Sequence, residues 1–350
     1  MATVLSAPGI PEVGMTWPDE DTAREIIEKV RWPGGPVCVH CGSLAVSRIT
    51  SLAGSKTRKG LFYCPDCRGQ FTVTVGMVFE GSHIPLGKWV AAIHLMASSK
   101  KGVSAHQLHR MLKLTYKSAW FMAHRIRYAM SQEPMLGLMK LEGVIEIDET
   151  YVGGKLRNPH RKDRRRHPAP GEKLDRGRST KSKVPVVSLV QRGGGVHSQV
   201  MTNVTAENLR QVLKDHVDIG KARIMTDGSP SYRALKKHGY YHESVDHAKD
   251  EYVRGDVHTN TVEGYYSILK RGLNGIYHHV SKHHLHRYLA EYDYRYNTRS
   301  KLGMDDQQRA RGIVRGAAGK RLTYKPLVGW TRVGGRTGWA REEREQPDLG

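Results

Sequence analysis

The spacing of apolar residues divides the chain into an N-terminal helical part and a C-terminal part that mixes strands with helices. Apolar positions over 86–99 recur with helical periodicity and predict one helix. A second helix is expected after Ser104, where Gln107 three residues later completes a capping-box pattern, and a third after Thr115. A shorter helix is expected over 17–32, because acidic residues near its start complement a helix N-terminus.

Alternation of apolar and polar residues begins near position 140 and predicts a strand over 141–148. Two further strand-like runs, 184–190 and 196–201, flank three consecutive glycines, which is typical of a β-hairpin. The elements expected after the hairpin are a helix from Thr205, a strand over 222–226, a helix from Ser229, a strand over 240–245 and a helical region over 260–298. This order favours an α/β domain with a mixed sheet.

The two short helices joined by residues 113–116 resemble a helix-turn-helix, whose second helix would read a DNA major groove. An ordinary three-helix connector with a solvated basic face is the alternative. The basic residues of the second helix that we expect to contact DNA are Lys117, Arg125 and Arg127.

The charge of the chain points to a polyanionic partner. Among 350 residues, 56 Lys and Arg stand against 34 Asp and Glu, which gives a formal charge of +22. Nucleic acid is the leading candidate, because binding of dispersed cations releases counterions from its phosphates. Residues 155–183 alone carry a net charge of +9 and three prolines, which favours a basic loop that contacts phosphates through Arg164, Arg165 and Arg166.

Membrane insertion and secretion are not expected. No apolar run approaches the roughly 18 residues that a bilayer span needs. The first residues lack the basic and apolar regions of a secretory signal. We therefore expect a cytoplasmic, nucleoid-associated protein without a membrane partner.

The four cysteines of the chain form two CxxC pairs with 22 residues between Cys41 and Cys64. Such knuckles can place four thiolates around one tetrahedral Zn²⁺, and an all-thiolate site without an open position is structural. We therefore expect a zinc ribbon over 34–80. Its ligands are Cys38, Cys41, Cys64 and Cys67.

Three carboxylates stand out by their local context. Asp148 lies at the end of a predicted strand, Asp227 ends another, and Glu263 lies near the start of a helix. Carboxylates placed in this way can hold two Mg²⁺ or Mn²⁺ ions about 4 Å apart, which is an arrangement for phosphodiester chemistry. On the same helix face as Glu263 lies Lys270, which could bind a phosphate. Taken singly, each acid could equally form a turn or complement a helix dipole.

The 35 residues between Asp227 and Glu263, with Lys270 seven positions further on, resemble the DDE signature of transposases and retroviral integrases. The sequence motifs most resemble those of bacterial insertion-sequence transposases with an N-terminal zinc ribbon, the ISXO-like group. Beside the knuckles, the segments that carry this resemblance are 147–154, 226–228, 258–270, 275–282, 286–297 and 319–324.

The resemblance implies a ribonuclease-H-like catalytic domain with a five-stranded mixed sheet, in which Asp148, Asp227 and Glu263 bind the catalytic metals. It also implies Lys270 as the basic residue of the site, with Arg271 beside it on DNA. The expected partners are double-stranded DNA, as terminal inverted repeats and as target, and further copies of the chain. His258 and Asn260 could orient the scissile phosphate, or could serve as helix caps.

The domains expected on this basis follow one another along the chain. They are an N-terminal helical segment (1–33), the zinc ribbon (34–80), a helix-turn-helix-like domain (84–135), the catalytic domain (140–300) and a partly disordered extension (301–350). Two other functions stay open at this point: a zinc-dependent DNA-binding regulator, and a metal-dependent nuclease that does not join strands. A second zinc site among the histidines of 276–297 is disfavoured.

Overall fold

The computed structural model describes residues 17–50, 59–131, 140–153, 183–246, 249–323, 328–332 and 339–343. Arg164, Arg165 and Arg166, with nearly all of the basic segment 155–183, lie outside these ranges. Within them, no helix has both the length and the apolar character that a membrane span requires.

The N-terminal part of the fold is one helix followed by a small antiparallel sheet. Asp19 caps the helix by accepting hydrogen bonds from the backbone of the first turn. Phe62 and Phe71 stack between the strands with ring centroids 5.7 Å apart, and Trp32 packs edge-on against both. The elements are α1 (Glu20–Arg31), β1 (Ser47–Arg48), β2 (Leu61–Tyr63) and β3 (Gln70–Thr72).

Three helices follow the ribbon, as the sequence predicts. The Ser104 side chain accepts a hydrogen bond from the backbone of Gln107, and Thr115 caps the next helix in the same way. Between these two helices, Lys113 adopts a left-handed conformation with φ of 49°, which turns the chain sharply. The helices are α2 (Leu86–Ser98), α3 (Ala105–Leu112) and α4 (Tyr116–Met130).

The C-terminal domain is built on a five-stranded mixed sheet. In sequence order its elements are β4 (Leu141–Val152), β5 (Val184–Gln191), β6 (Val196–Val200), α5 (Ala206–His216), β7 (Val217–Asp227), β8 (Tyr241–Val245), α6 (Asn260–Gly272) and α7 (Leu285–Asn297). The strand order is β6-β5-β4-β7-β8. The first three strands pair antiparallel, whereas β7 and β8 run parallel to β4. This sheet confirms the expected ribonuclease-H-like fold.

Helices cover both faces of the sheet. Ile145 and Ile147 of β4 point into a core formed with α5, while Val186 and Val190 of β5 point into a second core formed with α6 and α7. Two predictions for this domain are wrong in detail. Ser229 begins only short 3₁₀ turns, and the helical region over 260–298 is divided into α6 and α7.

The segment after the mixed-sheet domain returns to the N-terminal helices. It forms α8 (Asp306–Gly316), whose Ile313 and Val314 are buried in the same core as α2 and α4. Beyond it, β9 (Val328–Arg332) and β10 (Trp339–Glu343) pair antiparallel. The described residues of the extension expected to be partly disordered (301–350) thus include α8, β9 and β10.

Candidate active site

Two of the three predicted acids lie at equivalent positions on neighbouring parallel strands. Glu146 of β4 pairs with Met225 of β7, so the same register continued by two residues places Asp148 opposite Asp227. Aligned residues of parallel strands point to the same face, and neighbouring strands lie about 4.8 Å apart. Both carboxylates therefore project toward the side of the sheet that α6 covers.

The third acid, Glu263, lies in the first turn of α6. The Tyr266 hydroxyl, one turn further on, donates a 2.5 Å hydrogen bond to the backbone carbonyl of Asp148. The Glu263 side chain itself is exposed and accepts a 3.2 Å hydrogen bond from Thr259. Docking of this helix against β4 thus brings Glu263 toward Asp148 and Asp227. Asp227 ends β7 as predicted, whereas Asp148 lies inside β4 and not at its end, because the strand continues to Val152.

Within the described residues the three carboxylates do not form as close a group as the four cysteines do, but the charges of Asp227 and Glu263 reach Asp148. Burial, with smaller contributions from the negative charges of Glu149, Asp227 and Glu263, raises the pKa of Asp148 to about 7, although one backbone hydrogen bond acts in the opposite direction. Carboxylates that repel one another in a half-buried site favour either a proton or a cation between them. Their oxygen donors fit hard divalent cations such as Mg²⁺ or Mn²⁺.

Lys270 and Arg271 lie two turns beyond Glu263 on α6, and both are exposed. The Lys270 ammonium lies 5.8 Å from the centre of the Tyr266 ring, close to the helix face that carries Glu263. Arg271 donates a 2.6 Å hydrogen bond to the Ser267 hydroxyl. Lys270 therefore lies on the helix face of Glu263 two turns away, and Arg271 follows it as a second exposed basic residue.

Two further acids surround the site, and the sequence did not single them out. Glu149 faces the opposite side of the sheet, where the buried Tyr232 hydroxyl donates a 2.6 Å hydrogen bond to it. Burial raises the pKa of Glu149, and the charge of Asp227 adds to this effect. Glu146 is fully buried and contacts the start of α6. Alternation along β4 puts Glu146 on the same face as Asp148, but only the docked helix gives it partners.

His258 and Asn260 precede Glu263 at the start of α6. The ring of His258 accepts hydrogen bonds from Arg192 at 3.0 Å and from the backbone of Asn260 at 3.4 Å. Asn260 is exposed as the first residue of the helix. These contacts favour the capping interpretation for His258.

The four cysteines form a compact tetrahedral group in the ribbon. Their sulfur atoms all lie within 4.8 Å of one another, and the pairs Cys38–Cys67 and Cys41–Cys64 are each 3.6 Å apart. Zinc–sulfur bonds of about 2.3 Å imply sulfur separations near 3.8 Å in a tetrahedron, so this geometry fits a structural zinc ion. Within the described ranges no other group of three or more metal-binding side chains is as tight, the histidines of 276–297 included.

The basic residues of α4 divide between surface and interior. Lys117 is exposed in the first turn of α4. Arg127 is 2% exposed and donates a 2.7 Å hydrogen bond to the buried Glu291 of α7. Arg125 is 9% exposed and donates to the carbonyl of Leu322. Neither arginine is available to a DNA phosphate in this fold, because α4 is covered by α7 and by the segment after α8.

The sequence matches two protein-family models. One describes an ISXO2-like transposase domain and matches residues 140–297, and the other describes a transposase zinc-ribbon domain and matches residues 18–70. An uncharacterized protein in transposable element ISH50 of Halobacterium salinarum is 30% identical over 294 residues, which cover 83% of this chain and 95% of that protein.

Solved structures of related folds are more distant. The catalytic core domain of HTLV-2 integrase in complex with magnesium is 14% identical, covers 49% of this chain and 97% of its own, and gives a TM-score of 0.27. The Mos1 mariner paired-end complex with Mn is 15% identical, with coverage of 64% and 74% and a TM-score of 0.24. The two family models and the ISH50 protein establish that this chain belongs to the ISXO2-like transposases of insertion sequences.

Proposed function

We propose that this transposase binds the terminal inverted repeats of its element, cleaves DNA at the element ends and joins the 3′-hydroxyls to target DNA. The observation that carries the proposal is the position of Asp148 and Asp227, each two residues beyond the paired Glu146 and Met225 on neighbouring parallel strands, with Glu263 in the first turn of the helix that contacts Asp148 through Tyr266. We infer that these three acids form one half-buried site beside exposed basic residues.

Asp148, Asp227 and Glu263 would hold two divalent cations in this site. Such a pair, when bound, activates the attacking oxygen and stabilises the leaving oxygen at a phosphodiester. The protein itself orients the DNA: Lys270 would bind a phosphate next to the acids, and Arg271 a neighbouring one. The backbone amides that donate to Asp148 and Asp227 hold these side chains in place.

Recognition of the element ends would fall to the ribbon and to the helix-turn-helix-like pair α3 and α4. Lys117 lies at the start of α4, where a recognition helix contacts base edges and phosphates. Tyr116 beside it is 45% exposed and stacks on His106 with ring centroids 4.3 Å apart. Because two DNA ends must be held together, we expect more than one copy of the chain in the reacting complex.

The test is a strand-transfer assay with Mg²⁺, a duplex that carries the terminal repeat and a plasmid target. Asp227→Asn should lower cleavage and joining by more than about 100-fold, which is the upper range for loss of a supporting group around a metal. Asp218→Asn is the matched control, because Asp218 lies on the same strand with a side chain 40% exposed. Repeat binding should be equal in all three proteins.

Two outcomes would contradict the proposal. Cleavage without joined product would indicate a nuclease. Repeat binding with no chemistry in the wild-type protein would indicate a regulator.

A further inference from the structure

The start of α6 is capped by its own segment only at Asn260, whose amide donates to His258. Its N-cap residue, Thr259, has a side chain that accepts no hydrogen bond from the backbone amides of the first turn. The first amides of a helix need acceptors, and buried amides without them are costly. Here the acceptor comes from another element: Glu146 of β4, a carboxylate with no exposed surface.

Both oxygens of Glu146 are used at this junction. Oε2 accepts from the backbone amides of Thr261 at 2.6 Å and Val262 at 3.0 Å. Oε1 accepts from the Thr261 hydroxyl at 2.7 Å and from Arg192 at 2.6 Å. The positive end of the helix dipole and one guanidinium therefore neutralise this buried anion.

Arg192 also binds the loop that leads into α6. Beside its contact with Glu146, its guanidinium donates 2.7 Å and 3.0 Å hydrogen bonds to the carbonyls of Asp256 and His258. The loop that enters α6 and the first turn of α6 are thus held by one ion pair, Glu146–Arg192.

This junction lies between the proposed metal ligands. Glu146 precedes Asp148 by two residues on the same strand face, and Val262, which it holds, directly precedes Glu263. We propose that Glu146 is a positioning residue that sets the separation of the Asp148 and Glu263 carboxylates, with Arg192 as its partner, so that this separation suits divalent cations. The inference rests on the proposed function, since it assumes that these acids bind metal.

The test measures Mn²⁺ binding by isothermal titration calorimetry on the full chain without DNA. Glu146→Gln keeps the size of the side chain but turns an N–H group toward the helix amides or toward Arg192. Supporting groups around metal ligands change affinity by about 10- to 100-fold, so we expect at least a tenfold higher Kd. Glu291→Gln is the matched control, because Glu291 is equally buried and paired with Arg127 and Arg295 in another junction. It should lower the melting temperature and leave the Kd for Mn²⁺ unchanged.

The Arg192→Gln variant distinguishes a positioning role of this junction from a purely electrostatic effect on metal binding. Loss of a cation near the acids would strengthen Mn²⁺ binding if only charge mattered, whereas a loosened helix start would weaken it. We expect a Kd several-fold higher than that of the wild type. This variant also decides the question if Glu146→Gln does not fold.

The outcomes are distinct. A wild-type Kd in Glu146→Gln, or tighter binding in Arg192→Gln, overturns the positioning role alone. Equal Mn²⁺ binding by the wild type and Asp227→Asn would show that these acids do not form the metal site. That result would overturn both the inference and the proposed function.

Discussion

Replacement of Asp148 by Asn should stabilise the metal-free protein while it abolishes activity. Burial, together with the charges of Glu149, Asp227 and Glu263, raises the pKa of Asp148 from 3.8 to about 7. A rise of about 3 pH units in this pKa means that ionised Asp148 destabilises the folded protein by at most about 4 kcal/mol. Asn removes the charge and can still accept the 2.8 Å hydrogen bond from the Glu149 amide. We expect about 2 kcal/mol of added stability, because the buried amide retains part of the desolvation cost.

The pH dependence follows from the direction of this shift. The folded protein holds a proton on Asp148 up to about pH 7, whereas the unfolded chain releases it near pH 4. Wild-type stability from this group is therefore complete below pH 4 and is lost as the pH rises through 7. The advantage of Asp148→Asn should be large at pH 8.5 and small at pH 5.

The assay is thermal unfolding at both pH values, with and without Mg²⁺. At pH 8.5, Mg²⁺ should raise the melting temperature of the wild type and have little effect on the variant, since a bound cation offsets the repulsion. Glu142→Gln serves as control, because Glu142 lies on the same strand with a side chain 57% exposed. A variant less stable than the wild type at pH 8.5 without metal, or a difference that does not change with pH, would refute this reasoning.

Three further substitutions test the zinc ribbon and the division of the basic residues of α4 between surface and interior. Cys64→Ser, or removal of zinc by a chelator, should unfold the ribbon and weaken repeat binding, because the apolar core of the ribbon is too small to fold alone. Zinc content and circular dichroism would check this. A ribbon that stays folded in the chelator would contradict it. Lys117→Ala should weaken DNA binding and reduce its salt dependence at an unchanged melting temperature. Arg127→Met should instead destabilise the protein by about 3–5 kcal/mol, because Glu291 loses a buried partner; an unchanged melting temperature in Arg127→Met would argue against the buried pair.

The elements of the fold that depend on local pattern could be predicted from the sequence. Ser104 and Thr115 cap their helices as expected, because a capping hydroxyl needs only the next turn of the same chain. The cysteine knuckles meet for a similar reason, since short strands of fixed length bring them together. The local pattern alone left open which acids of the chain belong together, and the choice of Asp148, Asp227 and Glu263 rests on the family resemblance.

Tertiary packing decided the rest. Nothing local in Arg127 distinguishes it from Lys117, yet one is buried against α7 and the other is exposed, because α4 packs on both of its sides. The return of α8 to the N-terminal core depends on contacts between segments some 200 residues apart, as the Arg125–Leu322 hydrogen bond shows. Glu146 gains its role only where α6 docks on β4. A buried charge is stable only beside partners, and partners distant in the chain are fixed by the fold and not by the spacing of residues.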